Sequence, residues 1–242
     1  DLDIHSLETQ ENEKGFLLRG KFYKIYYIPK KNGKARKITE PVPGLKKIQR
    51  AIYEKMLKPV DLQPACCGFR GGYSVVNNAV AHINQEILIN MDLKDFFPSI
   101  TAGRVYGLFI SLGYGETMSR ILTRLTTFDN CLPQGSPTSP AIANLICRKL
   151  DSRLSNYMNK IGGSYTRYAD DLSFSGPNSI LKSITNLKSI LVDEGFELAE
   201  DKFRITRKGN RQSVTGIVVN EKLNLKREMR KNLRAALWNI RN

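Results

Sequence analysis

Residues 163–176 read Gly-Ser-Tyr-Thr-Arg-Tyr-Ala-Asp-Asp-Leu-Ser-Phe-Ser-Gly, two short strand-like runs that meet at the adjacent carboxylates Asp170 and Asp171. Tight turns between strands ordinarily use Asn-Gly or Asp-Gly, because the backbone there needs positive φ. Like charges about 4 Å apart repel by about 4 kcal/mol at an effective dielectric of about 20, so the pair either stays solvated or gains a cation. On its own the pair is typical of a solvated surface turn, and a bound divalent metal is the alternative.

The composition is that of an ordinary globular protein with a large excess of positive charge. Of the 242 residues 41% are hydrophobic and 25% are charged, and 38 Lys and Arg against 23 Asp and Glu leave a net charge of +15. The length suffices for one large domain or two smaller ones. The charge points to a polyanion, and nucleic acid is favoured over a membrane because no apolar run approaches the roughly 20 residues that cross a bilayer.

The cysteine pattern indicates a reducing compartment. The four cysteines, Cys66, Cys67, Cys131 and Cys147, have neither the spacing of a metal site nor the density of a disulfide framework. We interpret them as thiols. No signal-peptide pattern opens the sequence, so we expect a cytoplasmic protein that makes no use of a membrane.

A basic β-hairpin is predicted over residues 21–41. Aromatic and β-branched residues flank Asn32-Gly33, the usual pair at a hairpin tip. Lys30, Lys31 and Arg36 make the tip and the return strand basic. Two interpretations remain open: a hairpin that lies over phosphates, or a solvated hairpin whose charges prevent edge pairing.

The next segment combines a helix, a glycine-rich loop and a short capped helix. Apolar residues recur at helical spacing over 45–56, and the loop 64–73 follows. Ser74 then caps a helix that is predicted to run through His82. Asn78 and His82 are four residues apart and share a helix face. A lone histidine in such a place is usually a satisfied structural residue.

A short apolar strand over 86–93 carries Asp92 at its end. A carboxylate at the end of a buried strand is poorly hydrated and needs a cation or backbone donors. The elements predicted after it are helices over 101–112 and 117–125, a proline-rich loop over 131–140, a long helix over 142–161, the hairpin around Asp170, a helix over 180–194, strands over 196–206 and 214–219, and a basic helix from 226. This order predicts an α+β fold with an antiparallel sheet.

Asp92, Asp170 and Asp171 converge if their two strands pair in one sheet. Three carboxylates with substrate phosphates are the usual ligands of two Mg²⁺ ions. Two ions about 4 Å apart suit phosphoryl or nucleotidyl transfer, because one activates a hydroxyl and the other neutralises the leaving pyrophosphate. The sequence therefore predicts a metal-dependent phosphoryl or nucleotidyl transferase that binds nucleic acid.

The ordered motifs resemble those of reverse transcriptases. Tyr168-Ala-Asp-Asp171 is preceded by Leu132-Pro-Gln-Gly-Ser-Pro137 and by Asp92-Leu-Lys-Asp-Phe-Phe97. Asn78-Ala-Val-Ala-His82 resembles the NAxxH signature, and Val214-Thr-Gly216 the VTG triplet, of bacterial retron enzymes. The resemblance runs from about Lys21 to Asn220 and implies a right-hand polymerase, with an N-terminal segment 1–20, fingers 21–85 that include the basic hairpin, a palm 86–220 with inserted fingers helices near 101–130, and the beginning of a thumb at 221–242.

The resemblance also assigns roles to single residues. Asp92, Asp170 and Asp171, with the Leu93 carbonyl, would bind two Mg²⁺, for which Mn²⁺ can substitute. Phe97 would exclude a 2′-hydroxyl, Gln134 would contact the incoming nucleotide, and Arg36 with either Lys30 or Lys31 would hold its triphosphate. Lys202 would donate a proton to pyrophosphate if its pKa falls on closure. Val214, Thr215 and Gly216 fall near the primer-gripping hairpin, and Asn78 and His82 are retron-specific elements.

The implied function is RNA-directed DNA synthesis in the bacterial cytoplasm. A structured noncoding RNA would be both template and, through a 2′-hydroxyl, primer, dNTPs would be the substrates, and the branched RNA–DNA product would serve antiphage defence with an effector protein. The alternatives are a group II intron-like or other defence-associated reverse transcriptase, against which the NAxxH and VTG features argue, and an RNA-binding scaffold without activity, for which the +15 charge would suffice.

Overall fold

The first described element is the antiparallel hairpin of β1 and β2, in which Tyr23 pairs with Pro41 and Pro29 with Ala35. This confirms the predicted hairpin. The computed structural model describes residues 22–29 and 35–241. The predicted N-terminal segment 1–20, both candidate lysines and the Asn-Gly tip lie outside these residues.

Nine helices and nine strands follow one another along the described residues. In chain order they are β1 (Tyr23–Pro29), β2 (Ala35–Pro41), α1 (Pro43–Ile52), α2 (Val75–Val80), β3 (Ile87–Asp92), α3 (Phe96–Ser99), α4 (Ala102–Ser111), α5 (Glu116–Thr126), α6 (Ser139–Ile146), α7 (Arg148–Lys160), β4 (Ser164–Tyr168), β5 (Asp171–Gly176), α8 (Ile184–Asp193), β6 (Arg204–Arg207), β7 (Ser213–Val214), β8 (Ile217–Val218), β9 (Asn224–Leu225) and α9 (Arg227–Arg241). One π-helical turn extends α1, and 3₁₀ turns lie over Asn178–Ser183 and Glu200–Lys202.

Two compact units divide the described chain. The first comprises the residues up to Leu62 together with Asp95–Cys147, and the second comprises Gln63–Lys94 with the residues from Arg148 onward. No helix in the described part of the chain has both the length and the apolar character that a membrane crossing needs.

The first unit is organised around a buried polar side chain of α1. Gln49 is completely buried, and its Nε2 donates to the hydroxyl of Tyr23 at 2.9 Å and to the carbonyl of Leu125 at 2.8 Å. Its Oε1 accepts from the hydroxyl of Ser136 at 2.7 Å. Because a buried amide is stabilising only when its donors and acceptors are paired, Gln49 fixes β1, α5 and the proline-rich loop in one arrangement.

The second unit is built on a four-stranded antiparallel sheet in the order β4-β5-β3-β6. Side chains alternate between its two faces. The apolar side chains of β5, Leu172 and Phe174, are completely buried on the face where Tyr165 stacks on Phe174. The alternate positions are Asp171, Ser173 and Ser175, which form a polar row on the other face. The predicted α+β fold with an antiparallel sheet is confirmed.

The predicted long helix over 142–161 is wrong, because it is two helices. Cys147 separates α6 from α7, with ψ near 0° and its N–H directed at the carbonyls of Ala143 and Leu145. The apolar spacing continues across the break, so periodicity could not reveal it. The predicted loop 131–140 is also too long, because Pro140 lies in the first turn of α6, where its missing N–H costs nothing.

Four other boundaries differ from the sequence prediction. The helix predicted over 180–194 begins within the 3₁₀ turn Asn178–Ser183 and is α-helical only from Ile184. Helix α2 ends at Val80, and His82 lies in the turn after it. The strand predicted over 196–206 is reduced to β6, because the polar residues of Glu200–Lys202 form a 3₁₀ turn instead. The strand predicted over 214–219 is a hairpin of β7 and β8.

Candidate active site

Two of the three candidate carboxylates lie directly opposite each other in the sheet of the second unit. Asp92 is the last residue of β3, and its partner across the strands is Asp171, the first residue of β5. Directly paired residues of antiparallel strands project to the same face, so both carboxylates occupy one end of the polar row. Asp92 is only 8% exposed.

The third carboxylate lies in the turn between β4 and β5. Tyr168 pairs with Asp171, which leaves Ala169 and Asp170 as a two-residue loop. Ala169 has φ of +59°, a conformation that an alanine rarely adopts. The prediction that both aspartates occupy the turn is therefore corrected: Asp170 is in the loop, Asp171 begins the strand, and the alanine takes the positive φ expected of glycine. The carbonyl of Asp170 accepts from the N–H of Leu93 at 3.0 Å.

Asp170 and Asp92 raise the cost of ionising Asp171. The pKa of Asp171 is raised to about 7, chiefly by loss of solvation and then by the charges of Asp170 and Asp92, with a hydrogen bond to Asp92 adding to the effect. The cluster therefore carries an excess of negative charge that a cation would relieve.

Lys202 supplies one cation to this cluster. Its Nζ donates to Oδ1 of Asp92 at 2.6 Å. Partial burial alone would lower the pKa of Lys202, but the hydrogen bond to Asp92 and the three carboxylate charges together raise it. Lys202 is the last residue of the 3₁₀ turn that follows Ala199. The N–H of Ala199 donates to the carbonyl of Asp92 at 2.8 Å, which keeps this turn beside the end of β3.

The donor chemistry fits a divalent metal. Within residues 22–29 and 35–241, no group of three or more His, Cys, Asp or Glu side chains stands in an arrangement ready to hold an ion. The ammonium group of Lys202 is hydrogen-bonded to Asp92. The side chain of Asp171 is also hydrogen-bonded to Asp92. Carboxylate oxygens are nevertheless the ligands that hard divalent cations prefer, and their mutual repulsion is the feature that such an ion removes. Metal binding would require Asp92 to release or share Lys202.

The described candidates for nucleotide binding belong to the first unit. Arg36 is exposed on β2, and Phe97 is partly buried in α3, with its ring 5.3 Å from that of Phe96. Gln134 is partly buried, and its carbonyl accepts from the N–H of Thr39 on β2 at 2.8 Å. Lys30 and Lys31 lie outside the described residues.

The loop that carries Gln134 is held against β2 by close packing. Gly135 has φ of +129°, and a Cβ there would meet the carbonyl oxygen of Thr39 at 3.0 Å. The hydroxyl of Ser139 donates to the carbonyl of Pro133 at 2.7 Å. A glycine is therefore required beside Gln134, because a side chain would force the loop away from the strand.

The histidine of the NAxxH-like segment lies inside the second unit and is hydrogen-bonded at both nitrogens. His82 is completely buried, with Nδ1 2.7 Å from the hydroxyl of Ser175 and Nε2 2.8 Å from that of Thr166. Burial lowers the pKa of His82 to about 4, so the ring is neutral at physiological pH. It joins the turn after α2 to β4 and β5.

Asn78 and the VTG triplet meet on the same face of the sheet. Thr215 and Gly216 form the two-residue tip of the β7–β8 hairpin, with φ of +44° and +89°. The amide of Asn78 lies 3.4 Å from the Thr215 hydroxyl, and Asn78 Oδ1 has no partner among the described residues. Val214 packs with Ala79 and other apolar residues in one small core. The triplet is thus a turn docked on α2.

The sequence analysis did not single out the residues that support the Ala169–Asp170 turn. Arg167 and Asp151 form a completely buried ion pair, and a Cβ on Gly68 would meet the backbone nitrogen of Ala169 at 2.4 Å. In the sequence Arg167 counts only toward the basic excess. Its place between Tyr165 and Ala169 in a short strand-like run was the available signal, because an arginine in a buried strand needs an acidic partner.

Comparison with known proteins extends these observations. A family model described as reverse transcriptase (RNA-dependent DNA polymerase) matches residues 28–225. The chain is 40% identical over 223 residues to the Retron Ec86 reverse transcriptase of Escherichia coli, covering 90% of this chain and 70% of that protein. It is 38% identical over 239 residues to the Retron Mx65 reverse transcriptase of Myxococcus xanthus, with coverages of 90% and 56%. The chain thus spans little more than half the length of the second relative.

Solved structures share the fold at much lower identity. Telomerase from Candida albicans, in complex with a TWJ fragment of telomeric RNA, superposes with a TM-score of 0.62 at 12% identity, over 84% of this chain and 46% of that one. The foamy viral protease-reverse transcriptase, in complex with double-stranded DNA, gives 0.52 at 19% identity, over 88% and 32%. These likenesses bear on the fold alone, and they confirm the predicted fold class.

Proposed function

We propose a function from the premise that this chain belongs to the reverse transcriptases, the RNA-dependent DNA polymerases, and among them to the bacterial retron type. RNA-directed DNA polymerisation with a divalent metal is the activity of that family. The finer proposal is that this protein copies a structured noncoding RNA into single-stranded DNA with two Mg²⁺ ions. Mn²⁺ would substitute for them.

The observation that carries the proposal is the pairing of Asp92 with Asp171 beside the loop residue Asp170. These carboxylates, with the Leu93 carbonyl, would hold the ions. Bound divalent metal would supply activation of a hydroxyl nucleophile and neutralisation of the leaving pyrophosphate. The carboxylates belong to a rigid sheet and a braced turn, so their positions are set before substrate binds.

Lys202 acts in this proposal at the end of each addition. It is protonated at neutral pH, since the surrounding carboxylates raise its pKa. Released from Asp92, its Nζ would donate a proton to the departing pyrophosphate, a general-acid role that depends on its pKa falling when the site fills with cations.

Three described residues of the first unit would select the nucleotide. Phe97 would exclude a 2′-hydroxyl by its bulk, Gln134 would contact the nucleotide, and Arg36 would bind the triphosphate with Lys30 or Lys31. The braced loop of Gln134 supports this assignment, because selection requires a side chain of fixed position. We place fingers, palm and the beginning of the thumb at 21–85, 86–220 and 221–242.

The template and primer would be held by the VTG hairpin and by positive charge. Val214, Thr215 and Gly216 form a tight turn, and Asn78 and His82 anchor the segment against which it docks. Their role in the proposal is to fix the hairpin on the sheet. The net charge of +15 supports a nucleic-acid partner.

The experiment mixes the purified protein with RNA from its own genomic neighbourhood, dNTPs and Mg²⁺. The proposal predicts DNA joined to the RNA through a 2′,5′ branch, and no DNA from Asp170→Asn. A branchless product would overturn 2′-hydroxyl priming, and full activity of Asp170→Asn would overturn the metal assignment. Tight RNA binding without extension in Mg²⁺ or Mn²⁺ would make the protein a scaffold.

Antiphage protection with an effector protein is tested by phage plating with the wild-type and Asp170→Asn genes.

A further inference from the structure

Arg167 is the largest completely buried polar side chain of the second unit, and the proposed mechanism does not use it. It lies on β4 and forms a two-point ion pair with Asp151 of α7. Nε donates to Oδ1 at 2.8 Å, and Nη2 donates to Oδ2 at 2.7 Å. Neither side chain has any solvent exposure. A buried pair of this kind is costly to form, and hydrophobic residues of similar volume often stabilise a fold as well. Stability alone therefore does not explain the presence of this ion pair, and a role at the neighbouring turn is an alternative explanation.

The same guanidinium reaches the turn that carries Asp170. Nη1 of Arg167 donates to the carbonyl oxygen of Ala169 at 3.1 Å. Ala169 is the residue with φ of +59°, so the hydrogen bond holds the strained peptide of the loop. On the other side of the loop, the carbonyl of Asp170 accepts from Leu93. Both carbonyls of the two-residue loop are therefore bonded to neighbouring elements.

We propose that Arg167 is a positioning residue, whose guanidinium, anchored by Asp151, holds the Ala169 carbonyl and thereby aims the Asp170 and Asp171 carboxylates for metal binding. The inference rests on the proposed function, because it assigns a task to that same site. Outer partners of metal ligands commonly set the orientation on which metal affinity depends.

The chemistry requires arginine. The planar guanidinium presents donors in fixed directions and can bind a carboxylate with one edge while another N–H reaches the turn. Nη2 also lies 3.3 Å from Sγ of Cys66, whose pKa is raised chiefly by burial, so the sulfur is a neutral thiol. A lysine at 167 would keep the ion pair with Asp151 but could not span to Ala169 as well.

Other members of the cluster provide matched controls. The hydroxyl of Tyr165 donates to Oδ1 of Asp151 at 2.8 Å. On the same helix as Asp151, Arg153 pairs with Glu194 and Asp193 at the surface. Tyr165→Phe removes one hydrogen bond of Asp151 but leaves both of its bonds to Arg167 in place, and Arg153→Lys changes a different ion pair of α7.

The experiment measures Mn²⁺ affinity by calorimetry, together with kcat, the KM for dNTP and the unfolding temperature. Arg167→Lys should weaken Mn²⁺ binding about 10-fold to 100-fold and lower kcat by a similar factor, with an unchanged KM. Asp151→Glu, which keeps the charge but shifts the anchor, should lower both to a smaller extent and serves if Arg167→Lys does not fold. Tyr165→Phe should lower the unfolding temperature alone, and Arg153→Lys should change nothing.

Two failures are distinguishable. Wild-type protein that neither binds Mn²⁺ nor extends a primer would overturn the proposed function. Wild-type metal affinity and kcat in a folded Arg167→Lys, or in Asp151→Glu where the first variant is unfolded, would overturn the positioning role alone. Equal losses in Tyr165→Phe and Arg167→Lys would also overturn it, because stability of the network would then explain both.

Discussion

The ammonium group of Lys202 lies 2.6 Å from Oδ1 of Asp92, so one carboxylate of the acidic cluster already has a cationic partner. Under the proposed function this pair would have two tasks: it would offset charge before metal binds, and it would hold the proton that is given to pyrophosphate. The two tasks are separable, because only the second needs a side chain that can lose a proton.

Lys202→Arg separates them, because arginine keeps the charge but remains protonated. We expect single-nucleotide addition to slow by about 100-fold in Lys202→Arg, the contribution typical of general acid catalysis, with metal affinity near that of wild type. Lys202→Met should be equally slow and should bind metal more tightly, since no ammonium competes for Asp92. Rapid-quench measurement of the first addition tests both. A Lys202→Arg enzyme as fast as wild type would exclude proton donation.

His82 predicts a pH dependence of stability. Its pKa is lowered to about 4 from the ordinary histidine value of 6.5 because the ring is buried. Below pH 6.5 His82 becomes protonated in the unfolded chain but stays neutral in the folded protein. The free energy of unfolding therefore decreases as the pH falls from 6.5 toward 4. The loss from this residue approaches about 3 kcal/mol at its full extent. Urea unfolding at pH 7.5 and 4.5 should show a smaller acid-induced loss for His82→Gln than for wild type. An identical loss would mean that the ring is protonated when folded.

Gly68 packs against the turn that carries Asp170, so a larger side chain at this position would push on that turn. A Cβ at this position would meet the Ala169 nitrogen at 2.4 Å, whereas a Cβ on Gly71 would meet nothing within 4 Å. We expect Gly68→Ala to cost about 1–3 kcal/mol of unfolding free energy, as overpacking does, and to lower kcat because the turn must move. Gly71→Ala is the control for helix and loop propensity. Equal kcat for the two variants would show that turn position does not limit catalysis.

The sequence determined the sheet and its carboxylates, but the supports of the site came only from the structure. The apolar run ending at Asp92 and the strand-like runs around Asp170 were sufficient to predict antiparallel pairing, because alternation and charge are local signals. The break at Cys147 was invisible, since apolar spacing continues through it. Arg167 was overlooked for a different reason: its place in a short strand-like run is a weak signal by itself, and the acidic partner that permits its burial, Asp151, lies 16 residues away.

The sequence also identified the VTG triplet and His82 as motif residues but did not predict their surroundings. The VTG triplet was predicted as strand because β-branched residues flank it, although Gly216 at positive φ marks a tight hairpin tip. The place of His82 between two hydroxyls could not be predicted, because both belong to strands distant in sequence. Such long-range pairings follow from topology.

Phe97 predicts sugar selectivity. Replacing the partly buried ring with alanine would open space for a 2′-hydroxyl, so Phe97→Ala should incorporate ribonucleotides about 10-fold or more readily relative to deoxynucleotides. Phe97→Tyr keeps the bulk and should retain discrimination. The ratio of kcat/KM for dNTP and the matching ribonucleotide is the measurement. Unchanged discrimination in the alanine variant would place the filter at another residue.

The most direct measurement of the central claim is primer extension on an RNA template by wild type and Asp171→Asn, with RNA binding recorded in parallel. The account predicts that wild type extends the primer with dNTPs only when a divalent metal is present. Asp171→Asn should bind the RNA equally well and extend nothing, since its amide replaces a metal-binding carboxylate. Extension by Asp171→Asn at the wild-type rate, or by wild type in the presence of a chelator, would contradict it.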